Sequence, residues 1–201
     1  MQIRFKKSLS ALAAALALAA GAASADTIHV AIDTSTFGAA TGFIDMQLSA
    51  SSGVPLATAL VDNMVGFDNT TDIESWGVTP VTGGYLFRND TSNDLFHSVD
   101  LGGVLSFDLT FTGEPDPLTA YVSHFVVSAY DSDGFTPLGH FDPVTGALAD
   151  FAWTPSTSAQ VQGTVGGTVS DPAVTAVPEP ASFLLAGIGL GALALGRRRR
   201  S

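Results

Sequence analysis

The segment from Val104 to Phe111, VLSFDLTF, decides the fold that we predict for this chain. Apolar and polar residues alternate along it, as they do in a strand with one buried and one solvent-facing side. The side chains expected in the core are Leu105, Phe107, Leu109 and Phe111. Those expected at the surface are Ser106, Asp108 and Thr110. Such a strand predicts an antiparallel sheet that covers a core with one face only.

Further segments show comparable apolar runs, and clusters of Gly, Pro and Asp separate them. These predicted strands are 27–34, 42–49, 58–67, 85–88, 95–101, 120–130 and 147–153. Short strands at this spacing predict an all-β fold, an antiparallel two-sheet sandwich of jelly-roll type. The segment 120–130 has apolar residues on both faces, so we expect it at the centre of a sheet. The run 56–65 does not alternate strictly and could form a short helix instead.

The N-terminus has the features of a secretory signal peptide. Basic residues within 4–7 precede an apolar run over 9–20, which is too short to span a membrane. Ala23, Ser24 and Ala25 then form the small-x-small pattern that signal peptidase accepts. We therefore expect residues 1–25 to be removed and the mature chain to begin at Asp26. The alternative is an uncleaved N-terminal anchor.

The C-terminus carries a second set of sorting features. Val177, Pro178, Glu179 and Pro180 precede an uncharged, Gly- and Ala-rich stretch over 181–196. As a helix this stretch would extend about 24 Å, somewhat less than the roughly 30 Å hydrocarbon layer of a bilayer. A basic cluster ends it, made of Arg197, Arg198, Arg199 and Arg200. Because arginines at a membrane boundary stay on the cytoplasmic side, the pattern predicts a transmembrane helix with a membrane stop.

The motif, the short helix and the basic end, in this order, resemble the PEP-CTERM sorting signal over residues 177–201. Exosortase, a membrane-embedded protease of Gram-negative bacteria that make extracellular polysaccharide, recognises that signal. The resemblance implies that Pro178, Glu179 and Pro180 form the recognition motif and that the tail is removed near it. The protein would then stay only transiently in the inner membrane before reaching the cell surface or the extracellular matrix. A permanent membrane anchor is the alternative.

Two segments near the N-terminus carry a second resemblance. The stretches HVAIDTS at 29–35 and GFIDMQ at 42–47 are similar to a recurring group of PEP-CTERM proteins that begin V-x-I-D-T-S and continue to G-x-I-D-x-Q. This resemblance implies no activity for any particular residue.

The charge between the two signals is strongly acidic. Only Glu179 of the 19 acidic residues lies outside 26–176, whereas Arg88 is the sole Lys or Arg inside it. The segment therefore holds 18 acidic residues against one base, a net charge of about −17. Such a surface repels nucleic acid and anionic lipid and favours divalent cations. The chain has no cysteine, so no disulfide stabilises the fold.

The composition changes after Trp153 to Thr, Ser, Gly, Val and Pro. We predict four parts: a signal peptide at 1–25, a β-sandwich domain at 26–153, a linker at 154–176 and the sorting signal at 177–201. The alternative for the linker is an edge strand within 160–169.

The sequence contains no pattern that indicates an enzyme. It lacks the G-x-S-x-G, H-E-x-x-H and P-loop motifs, and we expect no catalytic residue among the scattered histidines His29, His97, His124 and His140. A glycosidase needs two carboxyl groups about 5–10 Å apart. Asp45, Asp108 and Glu74 could supply such a pair, but nothing in the sequence prefers them to solvated carboxylates.

Calcium is the one cofactor that the sequence leaves open. Asp131 and Asp133, in the segment DSDG, could converge on calcium, although an Asp-Gly hairpin turn explains the same residues and is favoured. Phe135 does not fit an EF-hand loop. The acidic loop at 68–74 is equally ambiguous.

These features predict an exported structural or adhesive protein of the cell surface or the exopolysaccharide matrix, with signal peptidase and exosortase as its processing partners. A carbohydrate-binding module, with or without calcium, is the first alternative, and a secreted hydrolase is the second. An open face lined by Trp76, Tyr85 or Trp153 would favour carbohydrate binding, because sugar rings stack on aromatic rings. A buried carboxylate pair in a cleft would favour the hydrolase.

Overall fold

A computed structural model of the chain describes residues 27–50, 53–118, 121–158 and 163–178. These residues form β-strands and one 3-10 turn at Thr34–Thr36. The strands are β1 (Thr27–Asp33), β2 (Thr41–Ser49), β3 (Ala57–Val65), β4 (Ile73–Trp76), β5 (Thr79–Val81), β6 (Gly84–Arg88), β7 (Asp94–Asp100), β8 (Val104–Gly113), β9 (Ser123–Asp131), β10 (Ala149–Thr154), β11 (Thr164–Val169) and β12 (Val174–Pro178).

The strands form two antiparallel sheets of six strands each within the described residues. The strand order of the first sheet is β12-β1-β8-β3-β6-β5, and that of the second is β11-β10-β9-β2-β7-β4. The predicted all-β, two-sheet fold is confirmed. Strand β9, which covers most of the segment predicted at 120–130, lies between β10 and β2, where both of its edges are paired. The segment 56–65 is a strand and not a helix.

The two sheets bury their inner faces against each other. The four apolar residues of β8 that the alternation assigned to the core are all buried. Contact between the sheets is visible at Phe125 of β9, whose ring meets Phe87 of β6 edge-on at 5.1 Å and Phe111 of β8 at 6.4 Å between ring centroids. Aromatic rings in this T-shaped arrangement bury a large apolar area and attract each other through their quadrupoles.

Asp108 of β8 corrects one prediction, because it is buried and not exposed. Side chains of the neighbouring strands cover it and satisfy its carboxylate. His29 Nδ1 lies 2.7 Å from Oδ1, and Asn63 Nδ2 donates a hydrogen bond of 2.7 Å to Oδ2. Asn63 has φ 50° and lies where the register of β3 against β8 shifts. This bulge and the strand pairing were not visible in the alternation of β8 itself.

The structure also corrects the predicted linker at 154–176. Strand β11 pairs with β10 at the edge of the second sheet, so the alternative of an edge strand within 160–169 holds for 164–169. Strand β12 pairs with β1 at the edge of the first sheet, and its Val174 is buried. Asp171, also buried, accepts hydrogen bonds from the amides of His140 and Ala173. Ladder hydrogen bonds to an existing sheet stabilise segments whose own composition is that of a linker. The unit built around the sandwich accordingly extends over Asp26–Pro178.

Two short edge strands, β4 and β5, were not predicted, because their side chains are mostly exposed and lack a clear alternation. The predicted signal peptide and the predicted C-terminal helix lie outside the described residues. Within the part of the chain that is described, no helix is long and apolar enough to cross a membrane.

Candidate functional site

An aromatic cluster lies on the outer face of the second sheet. Phe43 of β2, Phe96 of β7 and Tyr130 of β9 are only partly buried, and each follows a buried residue of its strand that faces the core. The rings of Phe43 and Phe96 stack at 4.3 Å with an interplanar angle of 19°, and Phe96 meets Tyr130 at 5.8 Å. The strand register brings the three rings together, since Phe43 pairs with Tyr130 and Asp45 with Phe96.

An open cavity of about 640 Å³ lies over Phe43 and Phe96. Strand β4 contributes Glu74 and Trp76 to its lining, and the loop after β9 contributes residues 132–135. Trp76 is 72 % exposed and Phe135 is 86 % exposed. The cavity therefore combines two stacked aromatic rings with two rings that remain in water.

Hydrogen bonds at Asp133 fix the loop that presents Phe135. The Asp133 carboxylate accepts from the amides of Phe135 and Thr136 at 2.9 and 2.8 Å, and from the Thr136 hydroxyl at 2.6 Å. These hydrogen bonds, that of the hydroxyl foremost, hold the pKa of Asp133 below its usual range. Gly134 adopts φ 74°, which suits glycine at such a turn. Phe135 is therefore exposed on a loop whose backbone is held by hydrogen bonds to Asp133.

The two calcium candidates fall in this same loop. Asp131 Oδ1 accepts hydrogen bonds from the Ser132 amide and hydroxyl, so both Asp131 and Asp133 are engaged by donors of the turn itself. The described residues contain no group of three or more His, Cys, Asp or Glu side chains that could hold a metal ion. The observed geometry is that of the turn.

Asp45 of β2 and Asp94 of β7 form a carboxyl pair beside the aromatic cluster. Gln47 Nε2 donates to Asp45 Oδ2 at 3.1 Å and to Asp94 Oδ2 at 3.4 Å, and it thereby bridges the two side chains. Burial of Asp45 and the charge of Asp94 raise the pKa of Asp45 to about 7. Asp94 Oδ1 is buried and has no hydrogen-bond donor among the described residues. Burial and the neighbouring charge of Asp94 thus favour the neutral form of Asp45.

The cavity lining is negatively charged. Its carboxylates come from Asp72, Glu74, Asp94 and Asp133, and no Lys, Arg or His is among the described residues that line it. Arg88 cannot neutralise them, because its guanidinium is paired with Asp90 at 2.6 Å and does not line the cavity. The charge of the lining is therefore available to a bound molecule.

Of the carboxylates considered for a glycosidase, Asp45 and Glu74 lie on either side of Phe96 in the register of the second sheet, and Asp108 does not join them. Asp108 lies on the first sheet, whereas Asp45 and Glu74 lie on the second. Asp45 and Asp94 do form the carboxyl pair that a hydrolase would need, but they are within hydrogen-bonding reach of each other and Asp45 does not line the cavity. Two groups that flank a glycosidic bond must be about 5–10 Å apart.

The histidines are distributed over separate parts of the sandwich. His29 meets Asp108 on the first sheet, and His124 Nδ1 lies 3.0 Å from Asp150 on the second. His97 is buried in the core, and its burial lowers its pKa. These positions place no histidine in the cavity lining.

Of the three aromatic residues named from the sequence, only Trp76 is part of the exposed face. Trp153 is buried, and Tyr85 packs edge-on against His97. Phe43, Phe96 and Phe135 were not among the residues predicted for a binding face. A usable signal existed for Phe43, since an aromatic residue on the polar side of an alternating strand (FIDMQ) is unusual.

Val177 and Pro178 of the predicted sorting motif form the end of β12 and pair with His29 and Ile28 of β1. The remaining sorting and processing residues lie outside the described part of the chain: Ala23, Ala25, Asp26, Glu179, Pro180 and Arg197–Arg200.

Comparison with known proteins finds a PEP-CTERM protein-sorting motif at residues 176–200. Neither the curated proteins nor the solved structures give a match. The motif confirms the predicted resemblance and indicates an exported protein that is targeted to exosortase and sorted to the cell surface. It begins at Ala176, within β12, so the sorting signal directly adjoins the sandwich along the chain.

Proposed function

We propose that this exported protein is an adhesive component of the extracellular polysaccharide matrix, and that it binds polysaccharide on the outer face of its second sheet. The sorting motif supports the location, because it indicates delivery to the cell surface. The molecular role is supported by the aromatic cavity formed by β2, β4, β7 and the loop after β9.

The observation that carries the proposal is the exposure of Trp76 and Phe135 beside the stacked rings of Phe43 and Phe96. Large apolar side chains that border a cavity and stay in water are characteristic of binding sites. A pyranose ring has an apolar C–H face and a polar rim. The rings of the cavity suit the apolar face, while the surrounding carboxylates and Ser75 and Ser132 can accept hydrogen bonds from hydroxyl groups.

Affinity electrophoresis of the secreted protein in gels that contain different soluble polysaccharides tests this function. At least one polysaccharide should retard the wild type, and Trp76→Ala should reduce its affinity about fivefold, since a stacked ring contributes on the order of 1 kcal/mol. Tyr121→Ala is the matched control, because Tyr121 is also an exposed aromatic residue but does not line the cavity.

The result that would contradict the proposal is equal retardation of the wild type, Trp76→Ala and Tyr121→Ala. Binding would then not involve the cavity. If no polysaccharide retards the protein, and the exopolysaccharide of the producing cells does not either, the adhesive role would be refuted as well.

A further inference from the structure

We propose that the cavity selects a cationic sugar, namely a hexosamine unit whose amino group is free, within the polysaccharide that it binds. This inference rests on the proposed function and specifies the chemistry of the ligand. Its basis is charge complementarity between the cavity and an ammonium group, combined with the aromatic rings of the same cavity.

The first step concerns the sign of the charge. The four lining carboxylates have no basic residue beside them among the described lining residues, and Arg88 is already paired with Asp90. A uronic acid would place a further carboxylate next to Glu74 and Asp94, which like-charge repulsion opposes. A neutral sugar would stack on the rings but leave the charge of the lining uncompensated. An ammonium group compensates it.

The second step concerns the kind of cation. A calcium ion requires six to eight oxygen ligands that converge on one point. The carboxylates of this cavity are spread over β4, β7 and the loop after β9, and the described residues offer no cluster that could hold a metal. An organic cation carried by a sugar ring does not need convergent ligands. It can meet one or two carboxylates while the ring covers an aromatic face.

The third step identifies partners for both parts of the sugar. Asp94 is one of the carboxylates that line the cavity, and an ammonium group has three N–H donors that a carboxylate can accept. Trp76 pairs with Asp94 across β4 and β7, so the exposed indole and this carboxylate are neighbours on the same sheet face. An indole face attracts a cation directly, and Trp does so more strongly than other aromatic residues. A hexosamine could thus stack its ring on Trp76 and place its ammonium group beside the Asp94 carboxylate.

Isothermal titration of the secreted protein with short glucosamine oligosaccharides tests the proposal. The comparison ligands are the fully N-acetylated oligosaccharide of the same length and a glucuronic acid oligosaccharide, at a slightly acidic pH where the free amine is charged. We expect the glucosamine oligosaccharide to bind at least about tenfold more tightly than its acetylated counterpart at about 50 mM NaCl. This preference should shrink at about 500 mM NaCl, since salt screens the charge interaction.

Matched variants separate a site from the general attraction of an acidic protein for a cation. Glu74→Gln removes a lining carboxylate, whereas Glu114→Gln removes an exposed carboxylate in the turn after β8. Glu74→Gln should lower the preference for the free amine about threefold or more and retain the affinity for the acetylated ligand. Trp76→Ala should weaken both ligands, and Glu114→Gln should weaken neither.

Equal losses in Glu74→Gln and Glu114→Gln would overturn the inference, because only the overall charge would then attract the ligand. Equal affinity for the amine and acetylated ligands, or a preference for the uronic acid, would overturn it while leaving polysaccharide binding intact. Failure of every ligand to bind, including the cell's own exopolysaccharide, would instead refute the proposed function on which the inference rests.

Discussion

Replacing Asp45 with Asn is expected to stabilise the protein above neutral pH and to leave its stability unchanged at about pH 4. The Asp45 carboxyl is largely withdrawn from solvent and lies within reach of Asp94, and both circumstances favour its neutral form. They raise its pKa to about 7. Asparagine has the size of that neutral form, donates hydrogen bonds as it does, and cannot ionise.

The size of the effect follows from the difference in pKa between the folded and unfolded states. Between about pH 4 and 7 the folded protein retains the Asp45 proton, whereas the unfolded chain, with a pKa of 3.8, has lost it. Because the folded state binds more protons, the free energy of unfolding falls as the pH rises through this window. A pKa difference of about 3 corresponds to about 4 kcal/mol. This is the largest stabilisation that we expect from Asp45→Asn at about pH 8.

Urea unfolding of the wild type and of Asp45→Asn at a series of pH values between about 4 and 8 measures this difference. The unfolding midpoints should coincide at the acidic end and separate by about 1–4 M urea at the alkaline end. Glu114→Gln serves as the control, because that carboxylate is exposed and outside the pair, and its midpoint should follow the wild type throughout. Parallel curves for the wild type and Asp45→Asn would refute the raised pKa of Asp45.

Two further predictions concern the core and the sorting signal. Phe125→Ala should lower the free energy of unfolding by about 3–5 kcal/mol in urea titrations, because the ring is fully buried between Phe87 and Phe111. Leu118→Ala is the control: this side chain is exposed, so its removal should have no measurable effect. Glu179→Ala should leave this stability unchanged, since the residue follows the last strand, but it should keep the tail attached and the protein in the membrane fraction on a blot. Identical full-length membrane bands for the wild type and Glu179→Ala would favour a permanent anchor over processing.

The strands that form the core were predictable where the alternation of the chain is strong. In β8 the spacing of Leu105, Phe107, Leu109 and Phe111 indicated both the strand and its buried face, since a period of two places every second side chain on the same side. The same local rule failed for Asp108, because its burial results from His29 and Asn63 on neighbouring strands.

The candidate site was predictable only in part. Trp76 was named from the sequence as an aromatic residue that an open face would need, and it is exposed. Its neighbours in the cavity come from β2, β7 and the loop after β9, which are far apart along the chain. Their proximity depends on strand order and register, and a shift of one residue would turn Phe43 or Phe96 into the core.

By itself, the sequence determined the all-β class, the strongly acidic charge between the two signals and the PEP-CTERM motif at the C-terminus. Each of these is a property of composition or of a short contiguous pattern. The tertiary structure alone decided that β11 and β12 join the sheets, that burial and Asp94 raise the pKa of Asp45, and that Trp76 and Phe135 border one cavity. The physical reason is that each of these features depends on residues that are distant in the chain. This holds for the pairing of an edge strand, for a shifted pKa and for a binding face. Long-range pairing supplies the hydrogen bonds, the low-dielectric surroundings and the neighbouring rings that no local pattern encodes.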